Sequence, residues 1–245
     1  MSDASRSVAR IAALFELFER ERRPLSSTEI GESLDIPRSS TGTLLKALVQ
    51  LGWLSIDRRR ATYFPGARLA RLTGWLLSEL LLDDRVLRAL ELLCVSTGET
   101  VTISCANDLE VEILHARGPT SGIHLVVKEG QRIPLWGSAI GTAYLTTLPD
   151  STIRSMYRRS QHDARGRRPA VSIVEVLRTV RRARRDGYAF VDGFVVPDVA
   201  AISAPLPGEI GPRPLIVSVG GPAERLGVQA DIIAAALGKF IATIG

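Results

Sequence analysis

The segment STEIGESLDIPRSSTGTLLKALVQLGWL, Ser27 to Leu54, holds two helical patterns that meet at Pro37. Proline disfavours helical geometry in the residue before it and suits the first turn of the helix after it. The segment therefore cannot form one long helix and must fold as a helix, a tight turn and a new helix. Ser26, with Glu29 three residues on, is a capping box that starts the first of these and satisfies two otherwise orphaned amide donors. In the second, Leu44, Leu48 and Leu51 recur at four- and three-residue steps and are expected to point inward. Ser39, Thr43, Lys46 and Gln50 fall on the opposite side.

That outer side is polar and nearly uncharged. An ordinary solvated helix face carries Glu and Lys pairs, so short hydroxyls with one Lys suit a surface that another surface approaches closely. Gly42, in the middle of the helix, costs about 1 kcal/mol relative to Ala, which suggests tight packing against the preceding helix or a ligand. Upstream, Ser7 to Arg22 places Val8, Ile11, Phe15 and Phe18 on one stripe, widened by Leu14 and Leu17. So wide a stripe serves either its own core and a second subunit, or one deep core.

After Gly52 the hydrophobic period changes. WLSIDRRRATYFPG reads as a strand, a turn of Asp57 and three arginines, and a returning strand. Three helices followed by a basic hairpin make a winged helix-turn-helix, in which the third helix enters the major groove of DNA and the wing lies over phosphates or the minor groove.

Composition sets outer limits. The 245 residues suffice for one large or two ordinary domains, with 45% hydrophobic residues to fill them. A formal charge of +5, from 31 Lys and Arg against 26 Asp and Glu, leans toward a polyanionic partner. The preference for Arg over Lys fits either phosphate recognition or a GC-rich genome. Cys94 and Cys105 sit inside apolar patterns and do not make a secreted disulfide framework. The N-terminus has no long apolar stretch with a cleavage site, and no run of about 18 apolar residues occurs anywhere. A soluble, cytoplasmic protein without a membrane partner is expected.

ARLARLTGWLLSELLL is apolar almost all round and is expected to be a helix buried between domains or subunits. The organisation read from the sequence is a DNA-binding domain over 1–68, a linker helix over 69–83 and a second domain over 84–245. In the second domain, the patterns give a helix from Asp84 through Leu93 and strands at Val101–Ala106, Val111–Ala116 and Ile123–Val127. A helix from about Ser138 and another over Ile173–Asp186 come next. Strands at Tyr188–Asp192, Val199–Ala204 and Leu215–Val219 follow, then a last helix from about Pro222. The mixture is α+β with mostly antiparallel strands. The Arg-rich segment Arg154–Arg185 reads as a solvated helix face in preference to a second nucleic-acid surface.

Several segments, in this order, resemble the IclR family of transcriptional regulators. SVARIAALFELF, the helix-turn-helix segment and YFPGARLARL are similar to its DNA-binding half. TGETVTISC, GQRIPLWGSAIGTAYLTTLP, RDGYAFVDGFVVPDVAAISAPL and LIVSVGGPAERL are similar to its effector-binding half. The resemblance implies a homodimer or dimer of dimers paired through the first helix, and a GAF-like α/β domain whose sheet cups a small organic effector. It also implies a double-stranded DNA operator as partner.

The resemblance departs at informative places. The family usually has Arg where this chain has Thr43 and a bulky residue at Gly42, so a bidentate Arg–guanine contact, worth about 1–3 kcal/mol of discrimination, is absent there. Groove contacts are expected from Arg38, Ser39, Ser40, Thr41 and Thr43, with Lys46, and backbone contacts from Arg58, Arg59 and Arg60. By the same resemblance a carboxylate effector would meet the amides of Ala139 and Ile140, a helix N-terminus suited to anions. The side-chain positions fall at Val191, Ala201, Ser218 and Gly220, of which only Ser218 keeps its hydrogen-bonding character. Such a cavity suits an acid bulkier than two or three carbons. Trp136, beside the effector loop, is either a pocket wall or core.

Enzyme chemistry is weakly supported. Cys105 and His115 lie on neighbouring strand patterns, but a Cys in line with Val101 and Ile103 reads as a small core hydrophobe. His115, His124 and His162 have no metal-ligand spacing, and SVGGP and GSAIGTA lack the phosphate-cradling pattern. No cofactor or metal is expected. The competing function class is a small-molecule-binding or hydrolytic α/β protein that uses its N-terminal domain only to dimerise.

Overall fold

The computed structural model describes residues 3–80, 84–162, 170–207 and 214–244. Contacts divide the chain into two units, Met1–Leu77 and Ser78–Gly245. The division falls inside the apolar segment assigned to the linker. That segment lies largely in α4 (Ala67–Leu80), which starts where the helical run ARLARLTGWLLSELLL begins. In its first two turns, Arg71, Leu72 and Thr73 are exposed within the single chain; the side chains from 74 to 83 lie outside those described.

The first unit contains α1 (Asp3–Glu21), β1 (Leu25–Ser26), α2 (Ser27–Ser33), α3 (Arg38–Gln50), β2 (Leu54–Asp57) and β3 (Thr62–Pro65). Ser26 Oγ accepts from the Glu29 amide at 3.2 Å while Glu29 Oε2 accepts from the Ser26 amide at 2.7 Å, completing the capping box. These bonds, with the Arg23 guanidinium at 2.8 Å, bring the Glu29 carboxyl down to about 2, the backbone donor contributing most. The wing is the antiparallel pair β2–β3, extended by β1 on the far side of β3. Leu14, Leu17, Phe18, Leu25, Ile30, Leu45, Leu48 and Leu54 make the core. On α1, Ile11 and Phe15 are half-buried against it and Val8 is 67% exposed.

The inward stripe of α3 differs from the expected one. It is Thr41, Leu45 and Leu48; Leu44 is half-buried and Leu51 is 56% exposed. Leu51 is the C-cap, its amide still bonded to the Ala47 carbonyl at 3.0 Å, and successive three-residue steps from Leu45 through Leu48 carry it off the inward stripe.

The second unit contains α5 (Asp84–Thr97), β4 (Thr100–Asn107), β5 (Glu110–Arg117), β6 (Arg132–Pro134), α6 (Ala139–Thr146), α7 (Asp150–Gln161), α8 (Ile173–Asp186), β7 (Ala189–Asp192), β8 (Val199–Pro205), β9 (Leu215–Pro222), α9 (Ala223–Val228) and α10 (Ala230–Ile244). The strands form one antiparallel sheet in the order β6-β5-β4-β9-β8-β7. The expected strand at Ile123–Val127 does not form: the segment makes no ladder, and β6 occupies the sheet edge instead. Leu125, Val126 and Val127 line a cavity instead of meeting a neighbouring strand.

Alternation along the strands separates two environments. Val101, Ile103 and Cys105 of β4, Ala200, Ile202 and Ala204 of β8, and Leu215, Val217 and Val219 of β9 pack with α5 and α10. On the other face, Ile113 and Ile216 join α6, α7 and α8 in a second core. The register pairs Cys105 with Glu112 and Ile103 with His115, so the thiol sits in the apolar core, as expected of a structural Cys. The arginines of α7 and α8 form a solvated, ion-paired face: Arg184 and Arg181 meet Asp150 at 2.7 and 3.4 Å, and Arg159 meets Asp108.

Candidate functional site

The first candidate surface is the outer side of α3. Arg38, Ser39, Thr43, Lys46 and Gln50 are exposed and Ser40 is half-buried. Thr43 Oγ1 donates back to the Ser39 carbonyl at 3.0 Å, a local bond that leaves its methyl and lone pairs outward. Thr41 is different. It is fully buried, its hydroxyl shared between the carbonyls of Ile36 and Pro37, both at 3.2 Å. Thr41 therefore closes the turn between α2 and α3 and has no surface with which to touch DNA. A periodic stripe hides this, because a hydroxyl near a helix start can face the turn it terminates.

The tight contact expected at Gly42 is at Gly31 instead. A Cβ on Gly31 would come within 3.2 Å of Thr41 Oγ1 and 3.3 Å of the Ile36 carbonyl, whereas one on Gly42 would meet nothing within 4 Å. Gly42 is an open notch in the middle of the polar stripe. At the wing tip, Asp57 Oδ1 accepts from the amides of Arg59 and Arg60 at 2.9 and 3.2 Å, and Ala61 has a positive φ of 52°. This shape leaves Arg58, Arg59 and Arg60 exposed. Arg60 lies 4.0 Å from Asp57.

The second candidate site is a cavity of about 330 Å³ in the second unit. Its floor is the sheet face opposite α5 and α10. Residues directly opposed in a ladder share a face, and the register lines up Thr100, Gly220, Ala201 and Val191 in one row. The next row is Thr102, Ser218 and Ser203. Ala139 and Ile140, at the start of α6, border the cavity, with Ser138 as N-cap accepting from the Gly141 amide at 3.0 Å. Leu125, Val126 and Val127 line one side and Phe194, Val195 and Val196 another. The Phe194 ring lies where a Cβ on Gly137 would be, at 2.1 Å, and Gly137 has φ of 84°. Glycine is needed there on both counts.

The structure thus brings Ala139, Ile140, Val191, Ala201, Ser218 and Gly220 together around one cavity. Trp136 is not among the lining residues. It is buried in the core edge-on to Tyr157, with ring centroids 5.3 Å apart; of its two readings, core is the one observed. Sequence reasoning missed Thr100 and Thr102. The signal was the alternation of TVTIS, whose Val and Ile alone were used to place the strand. The lining contains no charged side chain among the described residues. Thr102 Oγ1, Ser218 Oγ and Ser203 Oγ are buried without a hydrogen-bond partner among those residues. No group of three or more His, Cys, Asp or Glu there could hold a metal, and no helix there is long and apolar enough to cross a membrane.

Residues 7–58 match the IclR helix-turn-helix domain, and residues 76–242 match the bacterial transcriptional regulator IclR C-terminal domain. Among curated relatives, the HTH-type transcriptional repressor AllR of Salmonella typhi is 24% identical over 235 residues, covering 91% of this chain and 82% of the relative. The protein of the same name from Escherichia coli K12 is 23% identical over the same shares. Among solved structures, the Thermotoga maritima IclR superposes with a TM-score of 0.67 at 18% identity, covering 97% of this chain and 99% of that one. An IclR-family regulator from Brucella abortus gives 0.63 at 22% identity, covering 97% and 90%. The two domain models between them account for both units, and the chain belongs to the IclR family of DNA-binding transcriptional regulators.

Proposed function

We propose that the chain is a transcriptional repressor whose operator binding or assembly is modulated by a small organic acid bulkier than a two- or three-carbon acid. The observation that carries the ligand half is the cavity at the α6 N-terminus, floored by the Thr102 and Ser218 hydroxyls. A buried hydroxyl without a partner is disfavoured by about 1–3 kcal/mol, and a carboxylate oxygen within reach would recover that. With no cation in the lining, the ligand charge would rest on the Ala139 and Ile140 amides and the helix dipole. Apolar residues at Val191, Ala201 and Gly220, with Leu125, Val126 and Phe194, suit an aromatic or aliphatic body.

For the DNA half, Arg38, Ser39, Ser40 and Thr43 would contact the major groove, with Lys46 beside them, and Arg58, Arg59 and Arg60 the backbone. Thr41 is withdrawn from that set. The open notch at Gly42 lets a base edge or phosphate come close to the helix. The exposed Val8 on α1 suits pairing with a second copy in a homodimer or dimer of dimers, and repression is in keeping with the AllR relatives.

The test uses the full chain. Its melting is followed against a panel of aromatic and aliphatic carboxylates, since a ligand that binds only the folded state raises apparent stability by mass action. Duplex binding is then measured with and without each hit. Affinity should fall steeply with salt and change with the hit. Salt-independent or absent duplex binding would favour a small-molecule-binding protein that uses its first unit to dimerise.

A further inference from the structure

The wall segment Ile123–Val127 contributes Leu125, Val126 and Val127 to the cavity, yet it belongs to no strand. Without ladder bonds, its position depends on side chains that reach it. Thr100 Oγ1 donates to the Leu125 carbonyl at 2.5 Å. Arg225, on α9, donates from Nη2 to the Ile123 carbonyl at 2.8 Å. Leu125 is then held over the sheet floor, where a Cβ on Gly220 would come within 3.0 Å of its Cδ2.

Arg225 is itself fixed. Its Nη2 donates to Glu99 Oε2 at 2.8 Å, and its Nε donates to Oε1 of the same carboxylate. Glu99 is fully buried just ahead of β4, within the GET motif. It packs against Gly221, where a Cβ would lie 2.1 Å from Oε2. The strand thus needs glycine at 221 for the carboxylate to fit. The pair is a weak source of stability, because Glu99 loses its water on burial while Arg225, 40% exposed, attracts it through partly solvated charge. What this pair supplies is geometry. A planar guanidinium gripped at two nitrogens has little freedom left, and one of those nitrogens also reaches the wall.

We propose that Glu99 and Arg225 are positioning residues of the cavity: their ion pair fastens the wall segment Ile123–Val127, together with Thr100, and so sets the shape that a ligand meets. The significance for ligands rests on the effector-binding reading above, but the fastening itself does not. Supporting shells of this kind determine whether a site is held tightly enough to select among ligands.

Limited digestion of the full chain with trypsin, read by mass spectrometry, tests this, because Arg117 and Lys128 flank the wall segment. In Arg225→Lys, which keeps the charge but loses the fork, cleavage after Arg117 and Lys128 should be about tenfold faster, while cleavage within α5, α8 and α10 stays as in wild type. Acceleration spread evenly over the second unit would make the pair a general stabiliser and overturn the proposal. Unchanged cleavage after Arg117 and Lys128 would overturn it as well. If Arg225→Lys does not fold, Glu99→Gln, which keeps the shape against Gly221, and Thr100→Val, which cuts only the other tie, are read by the same two criteria. As a ligand probe, anilinonaphthalene sulfonate should bind wild type and bind Arg225→Lys about tenfold more weakly. Equal binding to both overturns the link to ligand fit. A wild type that takes up neither this probe nor any acid of the panel speaks against the effector reading, while the cleavage result still decides the fastening.

Discussion

Thr102 and Ser218 are opposed across the β4–β9 ladder, and both hydroxyls are buried without a partner among the described residues. Two such groups side by side are a local conflict that packing alone does not explain. Replacing Ser218 by Ala or Thr102 by Val should leave the ligand-free chain as stable as wild type, or up to about 1 kcal/mol more stable, because an unsatisfied polar group is removed. The same changes should weaken binding of any acid found by screening by about tenfold. Paired melting curves with and without the acid check both expectations. A loss of ligand-free stability instead would show that these hydroxyls have structural partners.

Thr41 and Thr43 should separate cleanly. Thr41→Ala removes the hydroxyl shared by Ile36 and Pro37 and should destabilise the first unit by about 1–2 kcal/mol. Thr43→Ala, at an exposed position, should change stability by less than about 0.5 kcal/mol while altering preference among operator sequences. Chemical denaturation and competition binding with a pool of duplexes give the two readings.

Arg59 stands at the wing tip with its backbone amide held by Asp57. Arg59→Ala should weaken binding to all duplexes alike and reduce the slope of log affinity against log salt by about 1. Anisotropy titrations on specific and random duplexes at several salt concentrations measure this. A loss confined to one sequence would move Arg59 from phosphate contact to base contact.

Glu29 links α2 to pH. Its carboxyl is depressed from 4.5 to about 2, first by the Ser26 amide, then by the Ser26 hydroxyl and Arg23. A group depressed on folding stabilises the fold above its unfolded value, and that contribution disappears as pH falls through the folded one. Glu29→Gln should therefore melt below wild type at neutral pH, and the gap should close between pH 4.5 and about 2. Melting of the two proteins across that range is the check.

Gly220 sets the depth of the cavity beneath Leu125. Gly220→Ser would press Leu125 outward and add a hydroxyl to the floor. Selectivity should shift toward smaller acids, with the bulkiest acid of the panel losing about tenfold in affinity, comparable to a pocket that is one or two methylenes too small. Ranking the same acids on both proteins tests it.

Much of this protein was legible in its sequence because the signals are local. Pro37 breaks the helix wherever the segment is placed, Ser26 and Glu29 cap α2 within one turn, and β4, β8 and β9 alternate at the period of a strand. The positions lining the cavity were also legible, from ordered resemblance, and six of the seven lie together around it. The failures share one cause. Thr41 has the chemistry of a contact residue, yet it is buried by partners the pattern does not name, the Ile36 and Pro37 carbonyls, and the choice between wall and core that the pattern left open at Trp136 is made by Tyr157. Ile123–Val127 has the composition of a strand, but β6 holds the edge next to β5. Period and propensity determine which way a side chain points within its own element only to within a residue or so, as on α3, where Leu45 and Leu48 are buried and Leu44 and Leu51 are not. Which surface it then meets depends on groups distant in sequence, as with Glu99, Arg225 and Ile123, and only tertiary packing decides it.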